Sequence, residues 1–304
     1  MESTKVVLIT GSNGLIAKQL ATQLSNTYEV RLLSRNPSAA NEFAWEIDSN
    51  YIDEKALLCV SHIIHLAGAG IAEKPWTKNR RQEIIASRVN SVALLLEACV
   101  RLEIKLDSFI SASAIGYYGQ TTSQHIYTET NTPGSDFVSK VCTEWEKAAD
   151  TFLTSGVAER IIKVRTGVVF SKKGGALPKM LLPFTFFVNA IIGNGQQYVP
   201  WIHIDDICGI YQFAIENKSV NGAYNAVASE HNTYASCMEK AQKSLNRKSL
   251  KIHIPSVFLR AMIGKRSSLL VSGSRIENEK IKEAGFTFQF EKLSACLSDV
   301  LEKR

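Results

Sequence analysis

Several things are scarce in this 304-residue chain, and each scarcity excludes something. The six cysteines (59, 99, 142, 208, 237 and 296) are scattered, with no C-x-x-C pair among them. That spacing excludes a disulfide scaffold or a zinc ribbon and reads as reduced core thiols in a cytoplasmic chain. The six histidines show no metal-ligand spacing, so no metal is expected. The longest apolar stretch, Met180 to Gly193, is too short to span a bilayer and contains Pro183 and Asn189. The first nine residues lack a charged start followed by a long apolar core, so no signal peptide and no membrane partner are expected. Lys plus Arg number 35 against 29 Asp plus Glu, a net +6 without basic runs, which gives no footprint for nucleic acid. Repeats, low-complexity tracts and long linkers are also missing.

What is present is organised around Lys5 to Ala17. Val6 to Thr10 reads as a buried strand, Gly11 breaks it, and Gly14 follows three residues later. Leu15, Ile16, Leu20 and Leu24 then recur at helical spacing. Strand, glycine turn and helix make the first unit of a dinucleotide-binding fold. A diphosphate must approach backbone amides closely, and a Cβ at Gly14 would stand in the way. The helix N-terminus offers free N–H groups and a positive dipole end to the anion. Ala17 holds the third motif position, where one methyl is tolerated.

The second strand, Glu29 to Ser34, ends in Ser34 and Arg35 where an NAD-specific fold carries an acid. A guanidinium suits a 2′-phosphate, which favours NADP over a merely solvated arginine. Ala44 to Ile47 reads as an edge strand, with Trp45 and Asp48 beside the adenine pocket. His62 to Leu66 is the fourth strand, and Ala67-Gly68-Ala69-Gly70 lets the backbone lie along a cofactor. His65 reads as a strand residue rather than a catalyst. Glu83 to Arg101 is an amphipathic helix with Ile85, Val89, Val92, Leu96 and Cys99 on one face.

Ser108 to Ser113 is the fifth strand, Phe137 to Phe152 the next helix, and Ile161 to Phe170 the sixth strand. The alternation predicts an α/β protein with a doubly wound parallel sheet. Residues 1–170 read as the nucleotide-binding domain. Residues 171–304 read as a smaller α/β lid and substrate domain, with about 201–227 returning to the first core. In that return Asp205 is expected to cap a helix.

Taken in order, the motifs resemble an extended short-chain dehydrogenase/reductase, and within it the epimerase family protein branch, similar to NAD-dependent epimerase/dehydratases. They are Thr10 to Ala17, Ser34-Arg35, His65 to Gly68, Ser87-Arg88-Val89, Ser111 to Gly119, Arg165 to Val169, Gly174 to Phe184, Trp201 to Asp206 and Ala284-Gly285-Phe286. The resemblance covers nearly the whole chain. It implies a sheet of about seven parallel strands, a small C-terminal domain and bound NADP. It places cofactor contacts on Gly11, Gly14, Leu15, Ile16, Ser34, Arg35, Leu66, Ala67, Gly68, Glu83, Arg88 and Val169. By analogy, the helices at 83–101 and 137–152 are the pairing surface of a homodimer.

One departure is central. The superfamily uses a Tyr-x-x-x-Lys pair, whose tyrosinate is the general base. Here Lys140 stands where the lysine belongs, but four residues earlier stands Asp136. That pair is expected to meet on the helix surface. The only literal match, Tyr51 to Lys55, precedes the fourth strand. Ser113 fits the catalytic serine, and Tyr117 and Tyr118 follow it. The tyrosines either pack the pocket wall or touch substrate, and the sequence leaves both open. Two functions therefore compete. One is an NADP-dependent oxidoreductase or epimerase-like enzyme acting on a small polar, sugar-linked substrate. The other is an NADP-binding sensor or partner-binding protein with little catalysis.

Overall fold

The computed structural model describes residues 5–301; the start of the stretch read above for a leader lies outside them. In chain order the elements are β1 (Val6–Thr10), α1 (Leu15–Leu24), β2 (Glu29–Ser34), β3 (Glu42–Glu46), β4 (Tyr51–Ile52), β5 (Val60–His65), α2 (Lys78–Arg101), β6 (Ser108–Ala114), β7 (Ile126–Tyr127), α3 (Phe137–Thr154), β8 (Ile161–Thr166), β9 (Val168–Ser171) and β10 (Gly174–Gly175). There follow α4 (Leu177–Leu181), β11 (Val188–Ile192), β12 (Trp201–His203), α5 (Ile204–Glu216), β13 (Gly222–Ala226), α6 (Tyr234–Ser244), β14 (Leu250–Ile254), α7 (Ser256–Ile263), α8 (Ser268–Val271), β15 (Arg275–Ile276), α9 (Glu279–Glu283) and α10 (Leu293–Leu301).

The main sheet runs β13-β8-β6-β5-β1-β2-β3-β4. Its first seven strands are parallel and β4 is antiparallel to β3. Helices cover both faces, as a parallel sheet requires. β1 shows why: Val7 and Ile9 face one core with α1 and α5, while Val6 and Leu8 face another with α2 and α3. Each fully buried Ile or Leu contributes about 1.5–3 kcal/mol. A third cluster joins Phe170, Ile191, Trp201, Met238 and Leu297 in the C-terminal half.

The structure redraws several elements. The strand expected over Ile161 to Phe170 is two strands. β8 pairs with β13 as far as Thr166, and β9 then pairs with β12 in a separate sheet. β3 is not an edge, because β4 flanks it. Trp45 is buried in the cluster that holds Leu33 and Leu57, and it pairs with Ile52 across β3 and β4. The stripe read on α2 divides. Cys99 enters the core, whereas Val89, Ala93, Leu96 and Val100 line an apolar surface groove of about 510 Å³ shared with Ala148 of α3, and Val92 reaches both. Five cysteines are buried, but Cys59 is exposed.

Candidate functional site

Ligands of such sheets bind beyond the carboxyl ends of the strands, where the order reverses. Here that place lies between β1 and β5. Gly11 takes φ +74°, and a Cβ there would stand 3.1 Å from the backbone of Leu66 and Ala67. The two strand ends therefore touch only because residue 11 is glycine. Gly14 donates to the Gly11 carbonyl at 2.8 Å and caps α1 without a side-chain bond. No acid stands in the first turn of α1, so its positive end is not neutralised.

Thr10 fastens this junction. Its hydroxyl accepts the amides of Leu66 and Ala67, each at 3.0 Å. Its proton is then free for Nδ1 of His65, 2.7 Å away. The imidazole therefore carries its own proton on Nε2, directed at the Ser91 hydroxyl at 3.0 Å. Ser91 passes its proton to the carbonyls of Ser87 and Arg88. Burial holds His65 neutral, pushing its pKa down to about 3. His65 is thus a structural strand residue, as expected.

Arg88 crosses the same space. Its Nη1 donates to the carbonyls of Ala69 and Ile84, and its guanidinium lies 4.6 Å from the Trp145 ring. A Cβ at residue 68 would meet the guanidinium carbon at 2.8 Å, so any residue but glycine there would push the Arg88 side chain aside. The buried Nε of Arg88 has no partner among the described residues. Burial lowers its pKa to about 10, so it stays charged at neutral pH. An orphaned donor beside a glycine cradle that a Cβ at residue 11 would crowd fits an anionic nucleotide.

The remaining residues expected at the cofactor take the following places. Leu15, Ile16, Leu66 and Val169 are half-buried against the core at the β1–α1 end. Ser34 is buried, its hydroxyl receiving the Asn36 amide, and Arg35 is exposed just past β2. Glu83 is exposed and held by Arg80 at 2.6 Å, with the hydrogen bond keeping its carboxyl below the usual range.

The candidate catalytic residues divide differently. Ser113 is buried at the end of β6 and donates to Glu146 Oε1 at 2.7 Å. Tyr118 donates to Asn225 at 2.6 Å and receives Arg165 Nη1 at 3.0 Å. Burial pushes its phenol up to about 12. Tyr117 is half-buried, its ring 3.4 Å from the Arg165 guanidinium carbon. Lys140 is exposed on α3. Asp136 does not pair with it. The Asp136 carboxylate caps α3 through the amides of Val138 and Ser139 and also binds the Gln120 amide. The literal Tyr51-to-Lys55 match starts in β4, at the far sheet edge.

Glu146, Arg165 and Asn225 join Ser113 and Tyr118 here, although no sequence signal marks them together. Glu146 had a readable sign, a charge on the apolar face of Cys142, Trp145 and Ala149.

The C-terminal half reaches over this end of the sheet. Arg266 donates to the Ala72 carbonyl, Ser268 to Gln120 and Ser274 to the Thr121 carbonyl. The expected cap on α5 is also corrected. His203 Nδ1, not Asp205, accepts the capping amide, and Asp205 lies inside the first turn.

Residues 7–226 match the NAD dependent epimerase/dehydratase family, and residues 254–300 a domain of unknown function (DUF1731). An epimerase family protein of Mycobacterium leprae is 32% identical over 96% of this chain and 94% of its own length. The crystal structure of human epimerase family protein SDR39U1 with NADPH superposes with a TM-score of 0.85 at 28% identity, covering 97% of this chain and 98% of that one. The nucleoside-diphosphate sugar epimerase of Corynebacterium glutamicum reaches 0.79 at 28%, covering 98% of this chain and 58% of that one. With its glycine cradle, its seven parallel strands and relatives matched end to end, this chain belongs to the NAD-dependent epimerase/dehydratase family, in the epimerase family protein branch.

Proposed function

We propose that this chain is an NADP-dependent oxidoreductase or epimerase-like enzyme acting on a small polar, sugar-linked substrate. The carrying observation is the cradle at the β1–β5 junction, with Gly11 against Leu66 and Ala67, a bare α1 N-terminus, and Arg35 past β2 in place of an acid. The human relative solved with NADPH supports the same cofactor.

Gly11, Gly14, Leu15 and Ile16 would hold the diphosphate, with Ser34 and Arg35 on the 2′-phosphate. Leu66, Ala67, Gly68, Glu83, Arg88 and Val169 would line the rest of the cofactor. The nicotinamide, when bound, supplies hydride transfer. The chain's own residues orient it, exclude water and manage a proton at Ser113, with Tyr117 beside it. The sugar-linked substrate is supported by the nucleoside-diphosphate sugar epimerase among the neighbours. Residues 171–200 and 228–301 act as a substrate lid, supported by the bonds from Arg266, Ser268 and Ser274. The apolar groove between α2 and α3 supports a homodimer. The dispersed free thiols support a cytoplasmic setting.

NADPH oxidation against carbonyls and nucleotide sugars tests the reading. The sensor reading is favoured by one observation, the capping role of Asp136 where a tyrosine would act. Tight NADPH binding with no turnover on the whole panel would establish it instead.

A further inference from the structure

Charges in a protein interior need partners. Glu146 and Arg165 are 6% and 3% exposed, and each is the other's partner. Glu146 comes from α3, on the face turned to the sheet. Arg165 comes from β8, directly opposite Ser113 in the strand register. The carboxylate receives Arg165 Nε at 2.8 Å and Nη2 at 2.9 Å. Arg165 Nη1 continues to the Tyr118 hydroxyl and the Glu129 carbonyl.

This fork accounts for the burial of both charges. It does not account for the third bond on the carboxylate. Ser113 gives its only proton to Glu146 Oε1 at 2.7 Å. A serine whose proton is committed keeps its lone pairs, so Ser113 offers an acceptor. A substrate carbonyl has no proton to give it. A substrate hydroxyl does.

Of the four other candidate proton carriers, three are occupied or turned away, and Tyr117 lies with its ring on the Arg165 guanidinium. Tyr118 is bonded on both sides, and burial raises its phenol to about 12. Asp136 is engaged by three backbone amides. Lys140 is exposed.

We propose that Glu146 is a positioning residue that makes Ser113 the acceptor for a substrate hydroxyl and takes up the proton through it. The proposal rests on the enzyme reading above. In the oxidative direction the O–H bond of a secondary alcohol breaks and its proton passes to Ser113 Oγ. The proton already on Ser113 passes to Glu146 Oε1, so the carboxylate becomes a carboxyl. The electron pair of the neighbouring C–H bond leaves as hydride to the oxidised nicotinamide, and C–O becomes C=O. The alcohol is oxidised, NADP⁺ is reduced, and carbonyl reduction runs each transfer backwards.

The test uses the full chain, secondary alcohols and nucleotide sugars with NADP⁺, and the corresponding carbonyls with NADPH. The variants are Ser113→Ala, Glu146→Gln, Glu146→Asp and the double Ser113→Ala/Glu146→Gln. NADPH affinity by fluorescence and the melting temperature are read alongside. Ser113→Ala and Glu146→Gln should each lower kcat about 10²-fold, with NADPH affinity kept within about threefold. The double variant should be no slower than either single, because the two act as one unit. The acidic limb of the kcat–pH profile should vanish in Glu146→Gln and persist in Glu146→Asp. If Glu146→Gln does not fold, Glu146→Asp carries the test, through a loss of kcat at unchanged NADPH affinity. Wild-type kcat and pH profile in Glu146→Gln, or losses that multiply to about 10⁴ in the double variant, would overturn the role while leaving the enzyme reading intact. No turnover by the wild type on the whole panel, with NADPH still bound, would overturn the enzyme reading and this role with it.

Discussion

Thr10 Oγ1 and His65 Nδ1 lie 2.7 Å apart, and through that bond the end of β1 holds the end of β5. Thr10→Val keeps the shape but leaves the amides of Leu66 and Ala67 without their acceptor. The expected cost is about 1–3 kcal/mol of stability, with weaker NADPH binding because the cradle loosens. Urea unfolding and a fluorescence titration check both. Unchanged values would show that the junction holds without its hydroxyl.

The same histidine makes stability depend on pH. Burial lowers the pKa of His65 to about 3 and of His62 to about 4, both from 6.5. Between those values and 6.5 the unfolded chain binds more protons than the folded one, so stability rises with pH. It is complete above 6.5 and is lost as pH falls below it, by about 1.4 kcal/mol per unit for each histidine. Urea unfolding at pH 7.5 and 5.5 should show the loss, and His62→Gln should remove about half of it. A flat profile would mean that the rings take up protons in the folded state.

Arg35 is exposed past β2 with Ser34 buried beside it. One or two charge-assisted bonds to a 2′-phosphate, about 1.5–3 kcal/mol each, predict that NADPH binds at least tenfold more tightly than NADH. Arg35→Ala should lower that ratio by about tenfold or more without changing NADH affinity. Calorimetric titration of both cofactors checks it, and an unchanged ratio in the variant would remove Arg35 from the site.

Five cysteines are buried, and burial pushes the thiols of Cys99, Cys142, Cys208 and Cys237 up to about 12. Cys59 alone is exposed, in a left-handed turn at φ 58°. A thiol reagent should therefore label one cysteine rapidly in the native protein and six in denaturant. More than one fast native thiol would contradict the burial. A count below six in denaturant would contradict the free-thiol reading.

Much of the fold was legible because its signals are local. Val6 to Thr10, Gly11 and the spacing of Leu20 and Leu24 specify strand, turn and helix within twenty residues. The break at Gly167 was hidden because strand-forming residues flank it on both sides, Ile161 to Thr166 and Val168 to Phe170. Only the distant partners, β13 on one side and β12 on the other, divide the stretch. The tight Gly11 turn against Leu66 and Ala67 was readable from glycine spacing. The Glu146–Arg165–Ser113 cluster was not, because its members lie on three elements brought together by packing.

The two helix caps give the last prediction, since each reverses an expectation drawn from residue type. Asp136 accepts the amides of Val138 and Ser139 and also ties down Gln120. Asp205 lies inside the α5 turn, and His203 accepts the capping amide in its place. An aspartate at an N-cap is worth about 0.5–2 kcal/mol over alanine, and the Gln120 bond adds to that. An acid inside the first turn offers a dipole interaction of about 0.3–1 kcal/mol, and Asp205 adds one bond, from Gln19 at 3.2 Å, against the three amides held by Asp136. Asp136→Ala should therefore destabilise more than Asp205→Ala, and Lys140→Ala should do almost nothing. Thermal melts of the three variants decide it. A Lys140→Ala loss equal to that of Asp136→Ala would restore the surface pair and remove the cap.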